Sequence, residues 1–124
     1  MTIKISNAEL SVMQVLWAEN PLPASEVAAR LVPGKNWKIK TVKTLLSRLV
    51  DKKALTTTQD GRRYLYTPLI SRDAYAAQAA RSLSNRLFGG RAAPLVAHLA
   101  EGHGLSDEDI ADLEALIQEL KYER

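Results

Sequence analysis

A chain of 124 residues, 46% hydrophobic and 25% charged, has room for one domain or for a small domain with a short appendage. A domain of this size buries roughly two-thirds of its unfolded surface and needs no staple. The absence of cysteine excludes disulfides, thiolate metal sites and cysteine nucleophiles together. No apolar run approaches the ~20 residues that span a bilayer, and the N-terminus lacks a signal-peptide core, so a cytoplasmic address without membrane insertion is expected. The net charge is only +3, yet residues 1–90 carry 14 Lys/Arg against 6 Asp/Glu, while residues 91–124 carry 3 against 8. The two parts therefore stand at +8 and −5, and residues 35–63 alone hold 9 basic and 2 acidic side chains. A basic block ahead of an acidic tail implies two jobs, the first of them on a polyanion.

Ser6-Asn7-Ala8-Glu9 is a capping-box pattern, and Leu10, Met13, Leu16 and Trp17 behind it recur at helical spacing, which predicts a helix over 6–19. Asn20-Pro21-Leu22-Pro23 breaks it. A second helix is expected over 24–32, with Val27, Ala28 and Leu31 inward and Pro33-Gly34 as the stop signal. The third, over 39–52, is the clearest: Val42, Leu45, Leu46 and Leu49 form one stripe, and Lys40, Lys43, Thr44, Ser47 and Asp51 lie opposite, with Thr41 and Arg48 on the flanks. The period then switches. Leu55–Gln59, the turn signal Asp60-Gly61 and the alternating Arg62–Thr67 read as a hairpin closed by Pro68. Helices follow over 72–87, ended by Gly89-Gly90, then over 91–100 and 107–121. The last opens on Ser106-Asp107-Glu108-Asp109, acids that suit a helix N-terminus.

The expected fold class is mostly α with a small β-hairpin wing: a winged helix-turn-helix DNA-binding domain over 1–70 and a helical dimerisation region over 71–124. A lysine-rich helix face or an arginine pair is, alone, usually just solvated surface. Their order here changes the reading, because a helix, a turn, an amphipathic basic helix and a basic hairpin succeed one another as a winged domain requires. Lys40, Thr41, Lys43 and Thr44 sit where recognition helices approach base edges, and Arg48 suits a phosphate or a guanine. Arg62 and Arg63 would bring two guanidinium groups to the wing tip.

Three segments also resemble the penicillinase repressor family, which includes the β-lactamase and methicillin-resistance repressors. They are Ser6–Trp17, Asn36–Leu49 (Asn-Trp-Lys-Ile-Lys-Thr-Val-Lys-Thr-Leu-Leu-Ser-Arg-Leu) and Asn85–Gly90 followed by Leu95-Val96. The final helix, from Leu105-Ser106-Asp107-Glu108-Asp109-Ile110, is similar as well. The resemblance implies a homodimeric transcriptional repressor on double-stranded DNA, binding a palindromic operator that often carries TACA/TGTA half-sites. Carried over by position, the DNA-binding residues are Lys40, Thr41, Lys43, Thr44 and Arg48, with Arg62, Arg63 and Tyr64 from the wing; Lys38, just ahead of the third helix, is expected to bind DNA with them. Dimer contacts fall on Leu87, Phe88, Leu95, Val96, Leu99, Ile110, Leu113, Leu116, Ile117 and Leu120. The resemblance further implies relief by a membrane sensor protease. In antibiotic-sensing members the scissile bond is Asn-Phe in a Leu-Val-x-Asn-Phe stretch; here Leu95-Val96-Ala97-His98-Leu99 puts it at His98–Leu99, with an apolar residue kept after the bond and the Asn lost. The copper-responsive branch carries a cysteine cluster and is excluded.

The acidic tail cannot be a second DNA surface, and its stripe Ile110, Leu113, Leu116, Ile117, Leu120 requires a cover. Folding back on the winged domain is one solution. A dimer arm is favoured, since no long or Pro-rich linker lets the tail double back. Rival functions fare worse. His98 and His103 are five apart, poor spacing for two ligands on one helix face, and Gly89-Gly90 is a helix stop rather than a phosphate loop, so neither enzyme nor cofactor is expected. A small-molecule-sensing dimeric winged-helix regulator of the multiple-antibiotic-resistance class would need an N-terminal dimer arm, and the first helix starts at residue 6. A non-specific architectural protein would bind with strong salt dependence and little base discrimination.

Overall fold

The capping box closes in both directions: the Glu9 amide donates to Ser6 Oγ at 3.1 Å, and the Ser6 amide donates to Glu9 Oε1 at 2.9 Å. It starts α1 (Asn7–Ala18), after which the chain runs β1 (Leu22–Pro23), α2 (Ala24–Leu31), α3 (Ile39–Asp51), β2 (Leu55–Asp60), β3 (Arg63–Pro68), α4 (Arg72–Phe88), α5 (Ala92–Glu101) and α6 (Asp107–Tyr122). The computed structural model describes residues 3–32, 34–102 and 104–123, so the stop signal at Pro33 and the loop position of His103 lie outside the described residues. All six expected helices and both hairpin strands form, each end within a residue of its expected place. Among the described residues no helix is long and apolar enough to cross a membrane.

Two compact units divide the chain, Met1–Ala79 and Ala80–Arg124. The core belongs to the first. Val12, Met13 and Leu16 of α1 meet Val27 and Leu31 of α2 and the whole predicted stripe of α3, with Leu22, Ala24, Ala54 and Leu55 closing the ends. Each large aliphatic side chain buried there contributes roughly 1.5–3 kcal/mol. Trp17 and Ala28, both expected inward, pack half-buried at the margin. The Trp17 indole donates to the Ile70 carbonyl at 2.9 Å and its ring lies 5.9 Å from that of Tyr75, which ties the start of α4 to α1.

Asn20–Pro23, expected only to break a helix, also supplies a strand. Leu22 and Pro23 pair antiparallel with Tyr66 and Leu65, giving a three-stranded sheet of order β1-β3-β2. Proline is tolerated because β1 is an edge. The hairpin register pairs Asp60 with Arg63, so the two tip residues are Gly61 and Arg62, one place later than the Asp60-Gly61 reading. Gly61 takes φ 65° at the first of them, the left-handed geometry that glycine accepts without a steric penalty.

The end of α3 carries no glycine. Lys53 adopts φ 69°, the Lys53 amide donates to the Val50 carbonyl at 3.0 Å, and the Ala54 amide donates to the Leu49 carbonyl at 2.9 Å. This is a Schellman motif with a lysine in the left-handed position, accompanied by the apolar contact of fully buried Ala54 and Leu49.

In the second unit Gly89 and Gly90 take φ of 59° and 81° and end α4 as expected. The Phe88 and His98 rings lie 5.4 Å apart. Ser106 caps α6 by accepting from the Asp109 amide at 3.0 Å, ahead of three acids in the first turn. No residue of α4, α5 or α6 is buried. Leu87, Leu99, Ile110, Leu116, Ile117 and Leu120 are exposed, and Phe88, Leu95, Val96 and Leu113 are half-buried.

Candidate nucleic-acid interface

Burying Val42, Leu45, Leu46 and Leu49 leaves α3 to present Lys40, Thr41, Lys43, Thr44, Ser47 and Arg48 to solvent on one surface. No acid occupies its first turn, and its N-cap, Lys38, makes no side-chain capping bond, so the free amides and the positive end of the helix dipole are uncompensated. Thr44 Oγ1 donates to the Lys40 carbonyl at 3.0 Å, which leaves its oxygen to accept from a base or a water.

The wing closes on this helix. Lys43 from α3 and Arg62, Arg63 and Tyr64 from the hairpin line one open depression of about 380 Å³, together with Pro23, Ala24, Ser25, Ile39 and Tyr66. Four residues singled out from the sequence thus converge from two elements. Lys38, Lys40, Thr41, Thr44 and Arg48 are exposed but do not line that depression. Ser25 and Ile39 do line it and were not expected; Ser25 lies in the first turn of α2, and nothing in the local pattern marks it. Burial, and then the neighbouring Tyr64, push the Tyr66 phenol above its usual value, so it stays a neutral hydrogen-bonding group.

Ion pairing sorts the cations. Arg30 makes a two-pronged contact with Glu19, both at 2.9 Å, and Glu19 first and Glu26 second hold its guanidinium above the usual range. Arg63 is held by Asp60 Oδ2 at 3.2–3.3 Å, so only one of the two wing arginines stands unengaged at the tip. Lys52 is bound to Glu9. Among the described residues no ion pair engages Lys38, Lys40, Lys43, Arg48 or Arg62. Five unpaired cations, hydroxyls interleaved with them, and an uncapped helix N-terminus can neutralise a row of phosphates while donating to base edges.

A family model described as Penicillinase repressor matches residues 5–119. The chain is 36% identical over 118 residues to the penicillinase repressor of Bacillus licheniformis, covering 95% of this chain and 92% of that one. It is similar to the solution structure of the monomeric form of Bacillus licheniformis BlaI in complex with the blaP half-operator: 39% identity, TM-score 0.52, covering 60% of this chain and 92% of that one. A MarR family protein from Bacillus stearothermophilus shares the fold alone, at 17% identity and TM-score 0.53 over 96% of this chain and 74% of that one.

Proposed function

The chain belongs to the penicillinase repressor family, and from that premise we propose that it is a homodimeric transcriptional repressor of the cytoplasm. Residues 1–70 form its DNA-binding domain and residues 71–124 its dimerisation region. A repressor family is one of regulators rather than enzymes. The observation that carries the reading is the meeting of the unpaired cation Lys43 with Arg62, Arg63 and Tyr64 at one depression, on the same helix that exposes Lys40, Thr41, Thr44 and Arg48. Lys38, Lys43 and Arg62 are assigned to phosphate, and Lys40, Thr41, Thr44 and Arg48 to the major groove.

One winged domain gains too little from base contacts, about 1–3 kcal/mol for each good pair. A second copy turns the next contact into an intramolecular event and raises avidity ~10²–10⁴-fold. The exposed apolar residues of α4, α5 and α6 support a second copy of this chain as their cover: Leu87, Leu99, Ile110, Leu116, Ile117 and Leu120, with Phe88, Leu95, Val96 and Leu113 beside them. Relief then needs no DNA contact to change. Cleavage at His98–Leu99 in α5 by a membrane sensor protease, or loosening of the arm, lowers avidity and frees the operator.

Operator selection from random duplex DNA followed by footprinting tests the reading. The expected product is an inverted repeat whose half-site centres lie about 10 bp, or a small multiple, apart. Protection of a single unrepeated site, or of random DNA equally well, overturns it.

A further inference from the structure

Lys52 lies inside the most basic stretch of the chain, and charge counting alone would assign it to phosphate. Its ammonium is committed elsewhere. Lys52 Nζ donates to Glu9 Oε1 and, at 2.7 Å, to the Lys4 carbonyl. The Glu9 side chain is only 2% exposed while that of Lys52 is 37% exposed, so the carboxylate lies beneath the ammonium that neutralises it. A carboxylate this deep requires such a partner. The Lys4 carbonyl is no loose acceptor either: the neighbouring Ile3 amide donates to Gln78 Oε1 at 3.3 Å, and Gln78 Nε2 donates to the Ile3 carbonyl at 2.8 Å. One short segment is therefore held on one side by α4 and on the other grips Lys52.

Lys52 is the C-cap of α3. The apolar stripe of α3 holds the helix on the core, but hydrophobic contact is non-directional and tolerates a small roll or tilt. A directional polar tie at one end removes that freedom. Over a helix about 20 Å long, a tilt of ~5° at the tied end moves the opposite turn by about 2 Å, enough to break a hydrogen bond to a base edge. That opposite turn carries Lys40, Thr41, Lys43 and Thr44.

We propose that Glu9 and Lys52 are positioning residues for operator reading: their bridge sets the attitude at which α3 meets the groove, and Lys52 itself touches no phosphate. The proposal rests on the reading of α3 as the helix that enters DNA.

The full-length chain and its Glu9→Gln, Lys52→Met, Lys52→Arg and double Glu9→Gln/Lys52→Met variants are titrated with the inverted repeat recovered by operator selection, and with its scrambled counterpart. Titrations run over a range of salt, with folding checked by circular dichroism. Glu9→Gln and Lys52→Met each weaken operator binding about ten-fold. The double variant is no weaker than either, Lys52→Arg recovers part of the loss, and the salt slope stays that of the wild type. Charge counting predicts the opposite sign for Glu9→Gln, because a negative charge disappears and Lys52 is released. Tighter binding by Glu9→Gln overturns the proposal, as does a slope reduced by about one in Lys52→Met or unchanged affinity in folded variants. Should Lys52→Met not fold, Glu9→Gln and Lys52→Arg decide the matter. A wild type that does not prefer the inverted repeat over its scrambled counterpart overturns the operator reading itself, and the bridge falls with it; a wild type that does, with unaffected variants, overturns the bridge alone.

Discussion

Glu9 shows how much one side chain can carry. It completes the α1 capping box, and it is the one buried charged residue among those described. Burial raises its pKa, but the Lys52 hydrogen bond and charge together with the Ser6 hydrogen bonds outweigh that, so the carboxyl titrates below its usual 4.5. A depressed folded-state pKa stabilises the fold fully above the unfolded value, and the contribution disappears as pH falls through the folded value. Glu9→Gln is expected to cost about 1–3 kcal/mol at neutral pH. The gap between its urea midpoint and that of the wild type should close as pH falls below 4.5. A gap independent of pH would show that ionisation of Glu9 contributes nothing. The capping role is legible in four consecutive residues; the Lys52 partner lies 43 positions away, and no local pattern announces it.

At the level of elements, α3 was the most legible feature, because a stripe at i, i+3, i+4 and i+7 has only one way to be buried. The wing was legible as a hairpin but not in its detail. Its register, set by the Asp60–Arg63 pair, leaves Arg62 at the tip and ties Arg63 to Asp60. The pair is exposed and worth little to stability, but under the proposed function it occupies a guanidinium otherwise available to phosphate. Arg62→Ala is therefore expected to lower the slope of log K against log salt by about one, and Arg63→Ala by clearly less. Equal losses would show that the Asp60 pair opens in the complex. The short β1 is not legible in the sequence, since two residues containing a proline carry no strand pattern and pair only because β3 is placed beside them.

On the scale of the molecule, the apolar residues divide sharply. Val12, Met13, Leu16, Val42, Leu46 and Leu49 are fully buried in the first unit, while no described helix residue of the second is. A fragment of residues 1–82 retains that entire core and should fold. It should sediment as a monomer and bind the operator ~10²–10⁴-fold more weakly than the full chain. A dimeric fragment would move the dimer element out of the C-terminal helices.

Caps, turns and stripes were readable from residues alone because they act over one to seven positions, where chain geometry dictates which side chains meet. Six helices and the hairpin follow from them, and counting charges along the chain gives the division into a basic and an acidic part. Which cations stay free for phosphate did not follow. Lys43, Arg62, Arg63 and Lys52 look alike in sequence; packing alone brings Glu9 beneath Lys52, and among the described residues no ion pair engages Lys43 or Arg62. A charge's availability depends on the carboxylates and burial around it, and only the folded chain sets those neighbours.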